Sequence, residues 1–155
     1  MRQLAVRQAE DLACVVLPQE DLSLLVPNDC VAEILPWRRV KPMPGMPRWC
    51  VGTLAWRGQT VVVVDFQLLT RDSGQSRLNR RALVVMHRTT AREGMSFYAI
   101  ASSGLPRLLH LAEDEVRDVE DGRTAASILS HLTLGTEAVV VPNLRYLEDE
   151  VSAII

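Results

Sequence analysis

With 155 residues, 48% of them hydrophobic and 23% charged, the chain can bury a substantial core and has an ordinary globular composition, which excludes intrinsic disorder. Its formal net charge of −2 offers no broad positive surface of the kind that generic nucleic-acid or membrane binding needs. Three widely spaced cysteines (Cys14, Cys30, Cys50) form neither a disulfide framework nor a zinc motif and read as reduced, packed thiols.

The opening "MRQLAVRQAE" is too charged for a signal-peptide core. The longest clean apolar run, Leu12 to Leu17, is far shorter than the ~18 residues of a membrane span. These features predict a cytoplasmic protein with no direct membrane insertion. "DLACVVLPQEDLSLLVP" (11–27) reads as two strands about a turn at Pro18 to Asp21. "PNDCVAEILP" (27–36) then predicts a short helix, opened by Asn28 or Asp29 and stopped by Pro36. Val31, Ile34 and Leu35 would share its inner face, turning Glu33 outward.

A proline-rich loop (36–49) follows, with Trp37, Met43, Met46 and Trp49 as apolar anchors. "CVGTLAW" (50–56) and "QTVVVVDF" (59–66) form a hairpin, and β-branched valine suits such strands. A polar loop (71–80) leads to further strands at 81–88, 95–103 and 104–111. A second short helix is expected within 121–130, a hairpin turning at Gly135 within 131–141, and a closing helix within 143–155. "GQTVVVVDFQLL" (58–69) and "GTEAVVVPNLRY" (135–146) echo each other: a turn glycine, a valine run, then a polar exit into helix. About nine short strands with little helix predict an all-β fold of closed or partly closed barrels. The whole chain, 1–155, is expected to form one domain.

Catalytic signatures are missing. The sequence contains no nucleophile elbow, no phosphate-binding glycine loop and no metalloprotease motif. His87, His110 and His131 are scattered, and Asp65, at a strand end, fits a capping role better than a tuned acid. Pairing of Cys50 with a histidine has no local signature. "EDEVRDVED" (113–121) lacks the glycine of a calcium loop and reads as a solvated face. The sequence therefore predicts neither an enzyme nor a cofactor.

Charge is unevenly placed. Between Glu33 and Asp65 no acidic residue occurs, while Arg38, Arg39, Lys41, Arg48 and Arg57 lie among Trp37, Trp49 and Trp56. This mixture fits a protein–protein hot spot, a stacking surface for single-stranded nucleic acid, or a packed loop whose tryptophans belong to the core. In "TLAWRGQTV" (53–61), Gly58 suits a tight turn whose second central residue has positive φ. Arg57 would then stand at a fixed place on a stiff hairpin.

The stretch "VPNDCVAEILPWRRVKPMPGMPRWCVGTLAWRGQTVVVVDF" (26–66) resembles the CheW-like coupling proteins of bacterial chemosensory arrays. The matching residues are Val31, Glu33 and Ile34, then Gly52, Arg57, Gly58 and Asp65. "LGTEAVVVPNLRYLED" (134–149) is similar to the family's closing strand, more loosely. Two departures stand out: Ala55 replaces the family's asparagine, and "SGLPRLLHLAEDEV" (103–116) replaces a usual G-L-x-V-D-x-V stretch. The pilus-linked branch, with its ChpC-like and PilI-like adaptors, has such divergent members.

The resemblance implies a CheW-like fold of two five-stranded, SH3-like β-barrels with a few short helices and no enzymatic activity or cofactor. It implies an adaptor joining methyl-accepting chemoreceptors to a CheA-type histidine kinase, with other CheW-like adaptors as further partners. Glu33 and Arg57 would carry the coupling, supported by Gly58, Val31, Ile34, Trp37 and Trp56. The alternative is a β-barrel module binding single-stranded nucleic acid through Trp37, Trp49, Trp56 and their basic neighbours.

Overall fold

The computed structural model describes residues 12–70, 79–89, 95–111, 116–119 and 125–155. Among these, eleven strands alternate with little helix: β1 (Leu12–Pro18), β2 (Ser23–Pro27), β3 (Val31–Pro36), β4 (Cys50–Trp56), β5 (Gln59–Val64), β6 (Ala82–His87), β7 (Phe97–Ser102), β8 (Arg107–Leu111), β9 (Val116–Asp118), β10 (Ile128–Leu134) and β11 (Glu137–Pro142). Helix α1 (Phe66–Thr70) follows β5, and helix α2 (Leu144–Ala153) follows β11. A 3₁₀ turn occupies Asn28–Cys30.

The strands form two sheets. One runs in the order β8-β1-β2-β11-β10-β9 and the other β3-β6-β7-β5-β4. Both have one parallel pair at their centre, β2 with β11 and β5 with β7, amid antiparallel neighbours. Without the three-residue β9, the two orders match strand for strand. The internal echo is explained: 58–69 is turn, β5 and α1, while 135–146 is turn, β11 and the start of α2.

Period-two alternation divides the apolar residues among three layers. On β1, Val15 and Leu17 face the second sheet, whereas Cys14 and Val16 face the interior of the first. On β6, Val84 and Met86 join the shared layer, whereas Leu83 and Val85 fill the second barrel with Trp56. The near-continuous apolar runs follow from burial of these strands on both faces. Helix α2 places Leu147 and Val151 on the shared layer. Polar bonds add to it: the Gln19 side-chain amide donates to the Ala101 carbonyl at 3.0 Å, and the Ser103 amide to the Pro18 carbonyl at 2.9 Å.

Several expectations are corrected. Residues 31–36 form a strand rather than a helix, because β3 pairs with β6 from Val31↔Met86 to Pro36↔Ala82. Ile34 is consequently 39% exposed, while Glu33 and Leu35 alternate onto the same side of the strand. Ile128–Ser130 likewise belongs to β10, not to a helix, while 120–124 lie outside the described residues. The loop at 71–78 and most of the acidic stretch 113–121 also lie outside them. Asp65 does cap: it accepts the Leu68 amide at 3.1 Å and lies 3.5 Å from the Arg80 guanidinium.

Candidate functional site

The site grows out of the β4–β5 hairpin. Trp56 pairs with Gln59 across a two-residue turn in which both Arg57 (φ 47°) and Gly58 (φ 74°) are left-handed. The expectation placed positive φ at Gly58 alone. Two such residues mark a type I′ turn, whose twist matches that of the flanking strands. A Cβ at Gly58 would meet nothing within 4 Å, so glycine is required there by torsion and not by space. Arg57 is the one non-glycine residue with positive φ among those described.

The turn holds the Arg57 side chain outward, 64% exposed. Its guanidinium lies 4.7 Å from the centre of the Trp56 ring and sends one N–H to Glu33 Oε1 at 3.2 Å. The other carboxylate oxygen of Glu33 accepts the Trp56 indole N–H at 3.1 Å. A bulge positions Glu33: Val31 faces Met86 but Glu33 faces Val85, which leaves Ala32 as the extra residue. Trp56 is itself locked, 4% exposed and edge-on to Phe97 at 4.8 Å. A buried indole therefore fixes a carboxylate, and the carboxylate fixes an exposed guanidinium.

These contacts hold the Glu33 carboxyl below its ordinary range. The indole hydrogen bond contributes most; desolvation ranks next and opposes it, and the charge and hydrogen bond of Arg57 and the charge of Arg38 add to the lowering. Glu33 thus stays ionised at neutral pH and does not serve as a proton donor there. The remaining predicted site residues take supporting places. Ile34 is exposed beside Glu33, Val31 is half-buried against the shared layer, and Gly58 is exposed on the turn. Trp37 is half-buried against the second barrel, with the Arg80 guanidinium 6.0 Å from its ring centre.

Sequence reasoning missed the part played by Trp56, which anchors Glu33 from beneath. Its alternation with Leu54 on β4 was the available signal of an inward-facing ring. The nucleic-acid alternative loses its stacking platform, since Trp49 is 8% and Trp56 4% exposed. Burial raises the thiol pKa of Cys50, opposite to what a reactive nucleophile requires. Among the described residues no group of three or more His, Cys, Asp or Glu is placed to hold a metal ion, and no helix is long and apolar enough to cross a membrane.

The CheW-like domain model matches residues 11–149, nearly the whole chain, including the Glu33–Arg57 corner. The chain belongs to the CheW-like domain family. Its fold is similar to that of the scaffolding protein TtCheW from Thermoanaerobacter tengcongensis, with a TM-score of 0.69 at 13% identity, covering 88% of this chain and 87% of that one. No curated protein matches it significantly in sequence. For this CheW-like chain the two sheets are thus the family's two barrels, the first enlarged at its edge by β9.

Proposed function

We propose that this chain is a non-enzymatic scaffold that couples methyl-accepting chemoreceptors to a CheA-type histidine kinase, with the Glu33–Arg57 corner as its docking handle. One observation carries the reading. A positively charged group stands exposed on a strained, rigid turn and is oriented by an ion pair that the fold does not need for its core. Exposed pairs add little to stability, whereas charges held in register steer encounter and select partners. Family membership supplies the class of partner.

The chain acts as one domain over 1–155, in the cytoplasm, at membrane-associated receptor arrays. Its departures at Ala55, exposed on β4 before the turn, and over 103–116, which includes β8, support the pilus-linked branch and a twitching-motility output. The test is capture of the kinase and receptor from native cells by wild-type and Arg57→Glu protein. Wild type should retain both, and the variant should lose at least one while melting at nearly the same temperature. Equal capture by the two proteins would refute the assignment of Arg57.

A further inference from the structure

The cations that follow Glu33 in the chain have a built place in the fold. Strands β3 and β4 are the two edges of the second sheet, and residues 37–41 cross from one edge to the other. Backbone bonds tie this strap at both ends. The Trp37 amide donates to the Arg81 carbonyl at 2.9 Å, and Lys41 and Thr53 exchange two bonds of 2.8 Å. Gly52 makes the second tie possible, since a Cβ there would lie 2.1 Å from the Lys41 carbonyl oxygen. Within the strap Trp37 and Val40 pack against the second barrel, while Arg38, Arg39 and Lys41 are exposed. The apolar residues hold the strap down, and the charged ones face water.

Neighbouring acids do not balance this charge. Among the described residues the ion pairs engage Arg57, Arg80 and Arg107, and none reaches Arg38, Arg39, Lys41 or the exposed Arg81. The two acids that bound the stretch are already committed: Glu33 accepts from Trp56 and Arg57, and Asp65 is fully buried beside Arg80. The strap also joins the Glu33–Arg57 corner into one positive field. Lys41 is level with Thr53, and Trp56, which precedes Arg57, stands three residues further along β4, ~10 Å at the rise of a strand. That spacing is comparable to the screening length of ~8 Å at physiological salt, so the cations act on one ligand together. Leu54 and Trp56 point into the barrel, and the outer face of β4 between Lys41 and Arg57 carries the small side chains of Thr53 and Ala55, a low floor between the charges.

We propose that the strap 37–41 is a docking surface for an acidic polypeptide segment of a partner protein, whose carboxylates reach Arg38, Arg39 and Lys41 together with Arg57. Charge complementarity selects an acid-rich occupant. Polypeptide is favoured over single-stranded nucleic acid because Trp49 and Trp56 are buried and Trp37 packs on the barrel, which leaves no stacking face among the cations. It is favoured over a lipid surface because the apolar side chains of the strap face the barrel rather than solvent, and a bilayer anchor needs them turned outward. The inference goes beyond the reading of Glu33–Arg57 as a docking handle and does not depend on it.

The experiment is fluorescence anisotropy of a short labelled peptide of alternating glutamate and serine, titrated with the full chain at low and high salt. The glutamine counterpart of the peptide, an oligothymidylate and phosphatidylglycerol vesicles are titrated in parallel. The glutamate peptide should bind, more weakly at high salt, and the glutamine peptide should not. Two variants with the same change in net charge are then compared. Arg39→Glu with Lys41→Glu alters the strap, whereas Arg117→Glu with Arg145→Glu alters exposed cations on β9 and α2. The strap variant should bind the glutamate peptide about tenfold more weakly or worse, and the other should stay within about twofold of wild type. Both should melt close to wild type, since all four side chains are exposed. Equal weakening by the two variants overturns the proposal, because net charge alone then explains binding. Equal binding of the glutamine peptide overturns it too, as does tighter binding of the oligothymidylate or the vesicles than of the glutamate peptide. If the strap variant loses the peptide while Arg57→Glu leaves kinase capture unaffected, the strap stands and the coupling role of Arg57 falls. If the peptide fails to bind wild type while Arg57→Glu abolishes kinase capture, the strap falls and the coupling role stands.

Discussion

Replacing Arg57 with asparagine separates what the turn needs from what the charge does. Left-handed backbone costs an ordinary L-residue ~1–2 kcal/mol, and asparagine tolerates it with much less strain. Asn-Gly is a favoured type I′ pair, so the φ of 47° at this position becomes easier to hold. Against that gain stands the loss of the exposed Arg57–Trp56 cation–π contact, about 0.5–1 kcal/mol. Glu33 keeps its bond from the Trp56 indole and is not left without a partner. The net change in stability is within about 1 kcal/mol of zero, a shift of no more than ~4 °C in melting temperature for a chain of this size. Partner binding behaves differently. If the guanidinium is desolvated in the complex, its removal costs ~2–5 kcal/mol, a rise in Kd of about thirtyfold or more. Thermal melting by circular dichroism and titration calorimetry against the purified kinase measure the two quantities on the same variant. A fall in melting temperature beyond ~8 °C, or an unchanged Kd, would refute the reasoning.

Four further outcomes are expected. Gly52→Ala puts a Cβ at 2.1 Å from the Lys41 carbonyl oxygen on a backbone with φ of +148°, and should lower the melting temperature by about 6–12 °C. Glu148→Ala removes a buried carboxylate that accepts from the amide (2.9 Å) and hydroxyl of the exposed Thr89; urea unfolding should show a loss of roughly 1–3 kcal/mol. The folded-state pKa of Glu33 is depressed, so its contribution is complete above the unfolded-state value and lost as pH falls through the lower folded one. Kinase capture should accordingly stay flat from neutral pH down to the ordinary glutamate range and fall only below it. Burial raises the thiol pKa of Cys14, Cys30 and Cys50, so alkylation of the folded protein at neutral pH should be far slower than in denaturant. Fast labelling of any of them would contradict the packing described.

The barrels were readable because their strands are written in valine and leucine runs separated by glycine, proline and asparagine. The closing helix was readable because Asn143, whose side chain accepts the Tyr146 amide at 3.1 Å, announces its start. Residues 28–36 misled for a physical reason. Val31, Ile34 and Leu35 satisfy helical spacing over so short a stretch, but the pairing with β6 makes it a strand, in which Ile34 and Leu35 face opposite sides. The bulge at Ala32 then sets the direction of Glu33, and no local pattern foretells it. The tryptophans misled through their neighbours: Arg48 and Arg57 suggest a surface, yet Trp49 and Trp56 point inward from chain that carries those arginines out. Contacts between distant segments, such as Asp65 with Arg80 or Arg107 with Glu137, exist only once the sheets have formed.

The order of the strands along the chain has a consequence for biosynthesis. The second sheet is contiguous, using β3 to β7, and is fully translated before β8 appears. The first sheet must wait: Leu24 of β2 has no inner neighbour until Val140 arrives with β11. During elongation one barrel can close on the ribosome while the hairpin of β1 and β2 remains an open, sticky ribbon. Release of the last strand is therefore the committing step, and a chain cut short before β11 should be recognised by chaperones rather than accumulate as half of a working molecule.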